Sequence, residues 1–388
     1  MFSGTDSGNS ANYTYLYEME GRQAVARVLG ILKQEVLTAE ERQLLSFALA
    51  PSVSQENLDA FLKGWDIEES PFPSILLLSY LMKTHPDLSF PESVMPRLKG
   101  VLTYCRFQNL KLLAHFSKIA SKLASLQIAM VVLKGGAMKV YRPDFPRWMG
   151  DIDILVREQD FHQAAEAIES MGYCPLKCAH SWDFSVGETQ EGAIDLHRYF
   201  QMNTGKESSL NEGLFSRAQE VNVASGKCLL PCREDMVFIS LVNLYKNLSG
   251  KTSSGSVLNT FIDLDYFLGR RDRFDWDIVR DNARRTGTVI QVCLSAAFVS
   301  TLLPQAFPED FLGGWMDSDL AGRQCLELLY QREVISPLRA EIGVSNVIKA
   351  FKTVRPILPY IGRRIRLFFL KRTGYRTRVA ILKKKGYV

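Results

Sequence analysis

Apolar residues recur at helical spacing through residues 15–126, interrupted at Pro51, Pro71, Pro73 and Pro91. A proline ring lacks an amide hydrogen and disfavours helix at the residue before it, so each of these positions predicts a boundary. The last segment, 109–126, is the most regular: Leu110, Leu113, Phe116, Ile119, Leu123 and Leu126 fall three or four residues apart, with Lys111, Lys118 and Lys122 largely off the stripe. The period then changes. Residues 128–133 make a short apolar run that reads as a buried strand leading into Lys134, Gly135 and Gly136. Residues 150–156 (GDIDILV) read as a second strand. Residues 158–171 read as a helix, with Phe161, Ala164, Ala165, Ile168 and Met171 along one side and Gly172 placed to end it. Further strands are predicted at 182–186, 193–199 and 228–230, and helical spacing returns over 236–245, 257–268, 276–285 and 289–303.

These elements predict an α+β protein. A small mixed β-sheet core over 127–232 stands between an N-terminal helical lobe (15–126) and a C-terminal helical region (233–341), with a small, polar, flexible leader at 1–14 and a basic tail at 342–388. With 46% hydrophobic and 23% charged residues, the composition is that of a folded globular chain. No apolar run approaches the roughly 18 residues of a spanning helix, and residues 1–15 lack the basic start and apolar middle of a secretory signal. The seven cysteines are Cys105, Cys174, Cys178, Cys228, Cys232, Cys293 and Cys325. An odd number spread over a long chain fits reduced thiols, and so a cytoplasmic protein, peripheral at a membrane surface if the basic tail binds lipid. Cys174 with Cys178, and Cys228 with Cys232, have C-x3-C spacing; zinc pairs are usually C-x2-C or C-x4-C, so a zinc site including His180 is disfavoured.

The acidic positions carry the candidate chemistry. In a strand, Asp151 and Asp153 project from one face about 6.5 to 7 Å apart, while Ile152 and Ile154 enter the core. The same alternation in 193–200 (AIDLHRYF) places Asp195 and His197 together. If the two strands are neighbours, three carboxylates converge. Such a group repels itself unless cations neutralise it, and hard Mg²⁺ (or Mn²⁺) prefers oxygen ligands supplemented by phosphates and water. Two such ions about 3.5 to 4 Å apart activate a hydroxyl and stabilise a leaving phosphate. Gly135 and Gly136 offer amides unobstructed by side chains, and positive φ if needed, just before a short helix; Lys134 and Arg147 add positive charge. His197 reads as orienting Asp195 by a hydrogen bond rather than as a general base. Trp148 either stacks on a base or packs, and Phe274 and Trp276 read as core anchors of a helix pair.

The order of glycine pair, spacer, Asp-x-Asp strand and later single Asp resembles the DNA polymerase β-like nucleotidyltransferase superfamily. Within it, LKGG at 133–136, Arg147, the DID at 151–153 and IDLH at 194–197 resemble an uncharacterised bacterial nucleotidyltransferase family whose members carry an N-terminal helical region. The helix at 109–126, Asp263 in a later helix, and Asp275 with Trp276 agree with that pattern. The resemblance implies that Gly135 and Gly136 form the nucleotide-phosphate loop, that Asp151 and Asp153 are paired metal ligands, and that Asp195 is the third carboxylate. It implies an Mg²⁺-dependent enzyme moving a nucleoside monophosphate from an NTP to a hydroxyl acceptor, with pyrophosphate leaving. Two departures stand out: fourteen residues separate Gly136 from Asp151, and glycine replaces the serine of many active relatives, which removes a hydroxyl contact to phosphate. Toxin-type relatives with KGG, Arg and DxD imply transfer to RNA as one alternative. A non-catalytic nucleotide-binding protein at a membrane surface is another.

Charge is unevenly spread. From Ile342 onward there are 13 Lys or Arg and no Asp or Glu, whereas the preceding 341 residues hold 34 basic against 42 acidic side chains. The tail, with Tyr360, Phe368, Phe369, Tyr375 and Tyr387 interleaved, predicts attraction to RNA phosphates or an anionic membrane, and is expected to be dispensable for chemistry. The simpler reading is a solvated helical tail.

Overall fold

The structure is a computed structural model that describes residues 21–177, 181–186, 191–200, 207–223, 226–250, 254–269, 273–304, 306–308, 310–312, 319–337, 366–367 and 369–385. The leader at 1–14, Cys178, His180 and tail residues 342–365 lie outside these. In chain order the helices α1 (Gly21–Val36), α2 (Ala39–Leu49), α3 (Gln55–Lys63), α4 (Phe72–Thr84) and α5 (Met95–Ser125) precede β1 (Met130–Val132), α6 (Lys134–Tyr141), β2 (Ile152–Val156) and α7 (Phe161–Glu169). Then come β3 (Tyr173–Lys177), β4 (Ser181–Val186), β5 (Glu191–His197), α8 (Glu207–Arg217), β6 (Gln219–Val223) and β7 (Gly226–Leu230). The chain ends in α9 (Arg233–Ser249), α10 (Ser254–Leu268), α11 (Trp276–Thr286), α12 (Val289–Ser300), α13 (Asp319–Tyr330) and α14 (Tyr375–Lys384). This is the expected α+β class.

Two compact units divide the chain, one of residues 39–243 and 258–292, the other of 1–38, 244–257 and 293–388. The first contains a seven-stranded mixed sheet of order β3-β4-β5-β2-β1-β7-β6. Its centre is the most apolar part: every residue of β1 and β2 is buried. That is why their sequences read as strands, whereas β3 and β6, at the two edges and largely solvated, carry no comparable apolar signal. β5 runs parallel to β2 and antiparallel to β4. β1 runs antiparallel to β2 and parallel to β7.

Helix α5 is one continuous 31-residue element with proline in its first turn, longer than the 109–126 segment that its periodicity suggests. It packs against β5, β7 and α7. Its buried stripe is Leu98, Val101, Cys105, Asn109, Leu112, Phe116, Ile119 and Leu123. Leu110, expected on that stripe, is instead 55% exposed, and Tyr104 and Phe107 share its solvent-facing side. A polar side chain, Asn109, takes the inward position.

In the second unit, α1 packs against α13, and Lys33 Nζ donates to the Thr301 carbonyl at 3.2 Å. A π-helical turn, Gln331–Ile335, continues α13 and holds Arg332 buried, its guanidinium reaching the Leu248 and Glu35 carbonyls at 3.4 and 3.3 Å. The described part of the basic tail also packs here. Leu382 of α14 is fully buried, Arg378 pairs with Glu327, and Lys385 Nζ donates to the Glu333 carbonyl at 3.0 Å. This stretch is therefore not a solvated extension.

Candidate active site

Strand pairing brings the predicted acids together. β2 and β5 are adjacent and in register, with Asp153 opposite Asp195, so their side chains leave the sheet on one face about 4.8 Å apart in backbone spacing. Two residues along, His197 turns Nε2 toward both, 2.9 Å from Asp153 Oδ1 and 2.9 Å from Asp195 Oδ2. These three side chains offer ligand atoms that all lie within 4.8 Å of one another. Asp151 is placed differently from expectation. The strand begins at Ile152, so Asp151 sits just before it with part of its surface in solvent and stands outside that group.

A third carboxylate joins Asp153 and Asp195 in the row. β4 pairs with β5 so that Asp183 lies opposite Asp195, making the sequence Asp183, Asp195, Asp153 across three strands. Sequence reasoning missed it, because an acid in a short partly exposed strand is ordinary until the strand order is known.

The charges show how the row is tolerated. Burial disfavours an ionised Asp153, but Lys134, with its Nζ 2.5 Å from Oδ1, and His197 outweigh burial and hold it well below the usual carboxylate range. Asp195 is likewise lowered, burial opposing and the His197 hydrogen bond prevailing. His197 is pushed up to about 9: burial resists its charge, and the two carboxylates overcome that resistance. Desolvation first, and Asp153 second, push Asp151 up to about 6; partial burial and then Asp195 do the same to Asp183. One further atom bears on what the site could hold. Asp195 Oδ1 is buried and has no hydrogen-bond partner. An orphaned carboxylate oxygen is costly unless something positive meets it, and hard oxygen donors beside it suit Mg²⁺ or Mn²⁺. The residues present fit a divalent ion at Asp153 and Asp195.

The glycine pair lies within the short helix itself. Positive φ belongs to Lys134 (47°), not to Gly135 or Gly136. Both glycines lie buried in the first turn of α6. A Cβ on Gly136 would sit 2.8 Å from side-chain atoms of both Val132 and Ile152, and one on Gly135 would sit 2.0 Å from Arg147 Nη1. A side chain at either glycine would therefore have to displace its neighbours, since α6 lies directly on the strands that carry the site.

Arg147 is committed to the protein. Its Nε donates to Asp263 Oδ1 at 2.7 Å, an ion pair of two largely buried side chains. Asn109 clamps the same segment from α5, donating to the Arg147 carbonyl at 2.7 Å and accepting from the Met149 amide at 3.2 Å. Lys139 of α6, buried, donates to the Phe145 carbonyl, and burial lowers it to about 8. Trp148 packs, its ring stacked on Tyr104 at 5.7 Å and edge-on to Phe72 at 5.1 Å. The loop before Asp151 is thus held by α5, α6 and α10. The one sequence signal for Asn109 was a polar residue in an apolar stripe. Phe274 and Trp276 form a ring pair at 4.5 Å, and Asp275 caps α11 by accepting from the Asp277 amide.

No curated protein matches the sequence. Among solved structures, one that resembles the chain is the crystal structure of an antigenic nucleotidyltransferase-like protein from Paracoccidioides brasiliensis, 12% identical, with a TM-score of 0.34 over 52% of this chain and 96% of that one. The family model described as uncharacterised nucleotidyltransferase matches residues 75–304, which spans α4 through α12 and every strand of the sheet. The chain belongs to this nucleotidyltransferase family.

Proposed function

We propose that the protein is a metal-dependent nucleotidyltransferase that moves a nucleoside monophosphate from an NTP to a hydroxyl acceptor, releasing pyrophosphate. The observation that supports this most strongly is the in-register pair Asp153 and Asp195, with His197 bridging them and Asp195 Oδ1 buried without a partner.

In this reading Asp153 and Asp195 hold Mg²⁺ or Mn²⁺, with Asp151 reaching in from the strand end. The ion supplies charge neutralisation at the α-phosphate and lowers the pKa of the attacking hydroxyl. His197 fixes both carboxylates at once, so neither has to reorganise as charge develops. Asp183 borders the Asp195 side of the row. The first turn of α6 would offer backbone amides to the triphosphate, and Lys134 would provide a cation beside it. Arg147 acts through its bond to Asp263, fixing the loop and closing over Gly135.

The acceptor we favour carries phosphate. Over its 31 residues α5 has six Lys or Arg and no Asp or Glu, and Tyr104 and Phe107 are 52% and 58% exposed on it. RNA fits this description, and an anionic membrane reached through the basic tail is the competing partner. The reaction is tested by incubating the purified protein with each NTP labelled at the α-phosphate, Mg²⁺ or Mn²⁺, and a lysate separated into RNA, protein, lipid and small molecules. Metal-dependent label in one fraction supports the reading, and label in none of them with any NTP opposes it.

A further inference from the structure

One carboxylate oxygen of the site is claimed twice. Asp153 Oδ1 meets Lys134 Nζ at 2.5 Å and His197 Nε2 at 2.9 Å. A carboxylate oxygen has about two lone-pair directions, so both are engaged by protein side chains. Asp195 Oδ1, by contrast, is buried without a well-formed hydrogen bond, with Ser181 and Asp183 the neighbours of its carboxylate. A divalent ion shared by these two aspartates binds oxygen at about 2.1 Å, and this would bring it close to the Lys134 ammonium on the same oxygen. The two positive charges compete for Asp153.

Lys134 is held at that position by an unusual backbone. Its φ of 47° lies in the left-handed region that side chains other than Asn, Asp and Gly seldom adopt. Such conformations persist where surrounding structure imposes them, and they cluster at sites of function. Here the turn joins the end of β1 to the first turn of α6, and its ammonium meets the sheet carboxylate Asp153. A triphosphate at that helix end would offer it a second counter-charge within reach of the same flexible stem.

We propose that Lys134 is an exchangeable counter-ion: it neutralises Asp153 until a divalent ion takes that oxygen, and then transfers its ion pair to the triphosphate that arrives with the ion. Metal and NTP therefore bind cooperatively and each binds weakly alone. The coupling is reciprocal, as any linkage between two ligands must be. The proposal rests on the nucleotidyltransferase reading and adds an order of assembly to it: the ion stays with the aspartates only when the nucleotide is also present, which guards the carboxylate row against metal without substrate.

The test is Mn²⁺ binding to the full-length protein, followed by the electron paramagnetic resonance signal of unbound Mn²⁺, with and without an NTP analogue whose α,β bridge is a methylene. Wild type, Lys134→Asn and Asp153→Asn are compared. Asparagine removes the charge and tolerates positive φ, so the turn is preserved; Lys134→Gly is a second neutral variant should the first fold poorly. Wild type is expected to gain on the order of ten-fold or more in Mn²⁺ affinity when the analogue is added, within the usual range of such couplings. Lys134→Asn should bind Mn²⁺ alone about ten-fold more tightly than wild type and lose most of that gain. Equal Mn²⁺ affinity in the two proteins without analogue, or an undiminished gain in the variant, overturns the exchange. If Asp153→Asn abolishes binding in either case, the nucleotidyltransferase reading survives that failure. If no protein binds Mn²⁺ under any condition, both fall together.

Discussion

His197 donates toward two carboxylates at once, and this sets a pH dependence with a definite sign. Its folded-state value, about 9, lies above the ordinary 6.5. A group whose pKa rises on folding contributes stability that is complete below its unfolded value and is lost as pH rises through the folded one. Urea unfolding in the presence of a chelator should therefore show wild-type stability falling between about pH 6.5 and 9 more steeply than that of His197→Asn. Parallel curves would mean that the imidazole carries no extra charge in the folded protein. At this scale the sequence was partly legible. The alternation in residues 193–199 put Asp195 and His197 on one face, and the pairing of β5 with β2 delivered them to Asp153. Asp183 and Asn109 were not legible, since one acquires its meaning from strand order and the other from a loop 38 residues away in sequence.

Element packing constrains the glycine pair, whatever else the two residues contact. β1 and β2 are buried along their whole lengths, and α6 follows β1 directly, so its first turn must lie on their side chains without a Cβ between. Gly136→Val should cost about 1 to 3 kcal/mol by overpacking against Val132 and Ile152. Gly135→Ala crowds the Arg147 guanidinium that pairs with Asp263, and should cost up to several kcal/mol if that buried pair breaks. Both losses would appear as lower urea midpoints with chelator and no nucleotide present. Unchanged midpoints would mean that neither glycine is needed for packing, and weakened NTP binding at the same time would support the phosphate-loop role alone. Periodicity located the central strands because burial on both faces makes them continuously apolar, whereas β3 and β6 at the edges are too polar to stand out. Helix α5 was underestimated because its exposed face carries Tyr104, Phe107 and Leu110, which blur the stripe.

The division of the chain into two compact units crosses the linear order of the sequence, since the second unit draws on three separate stretches of chain. Composition indicated a basic terminal segment but not that part of it packs. Leu382, fully buried in α14, and Arg378, paired with Glu327, tie the described residues of that segment to the unit containing α13. Leu382→Ala should cost about 2 to 5 kcal/mol there, a value in the range for emptying a closed core position. Faster amide hydrogen exchange across α13 and α14 would register it, while unaltered exchange would make the packing incidental. Among the described residues no helix is long and apolar enough to cross a membrane.

The central claim is that the aspartates paired between β2 and β5 perform nucleotidyl transfer. Asp195→Asn keeps the volume of the side chain and removes the charge of the carboxylate whose Oδ1 is buried without a partner. The most direct measurement is the initial rate of label transfer from an α-phosphate-labelled NTP to its acceptor, wild type against Asp195→Asn, at saturating Mn²⁺ and with matched circular dichroism spectra. Asp195→Asn should lose at least a hundred-fold in rate, of the order seen when a preorganised electrostatic group is removed. Label transfer at an undiminished rate by the folded variant would contradict the claim.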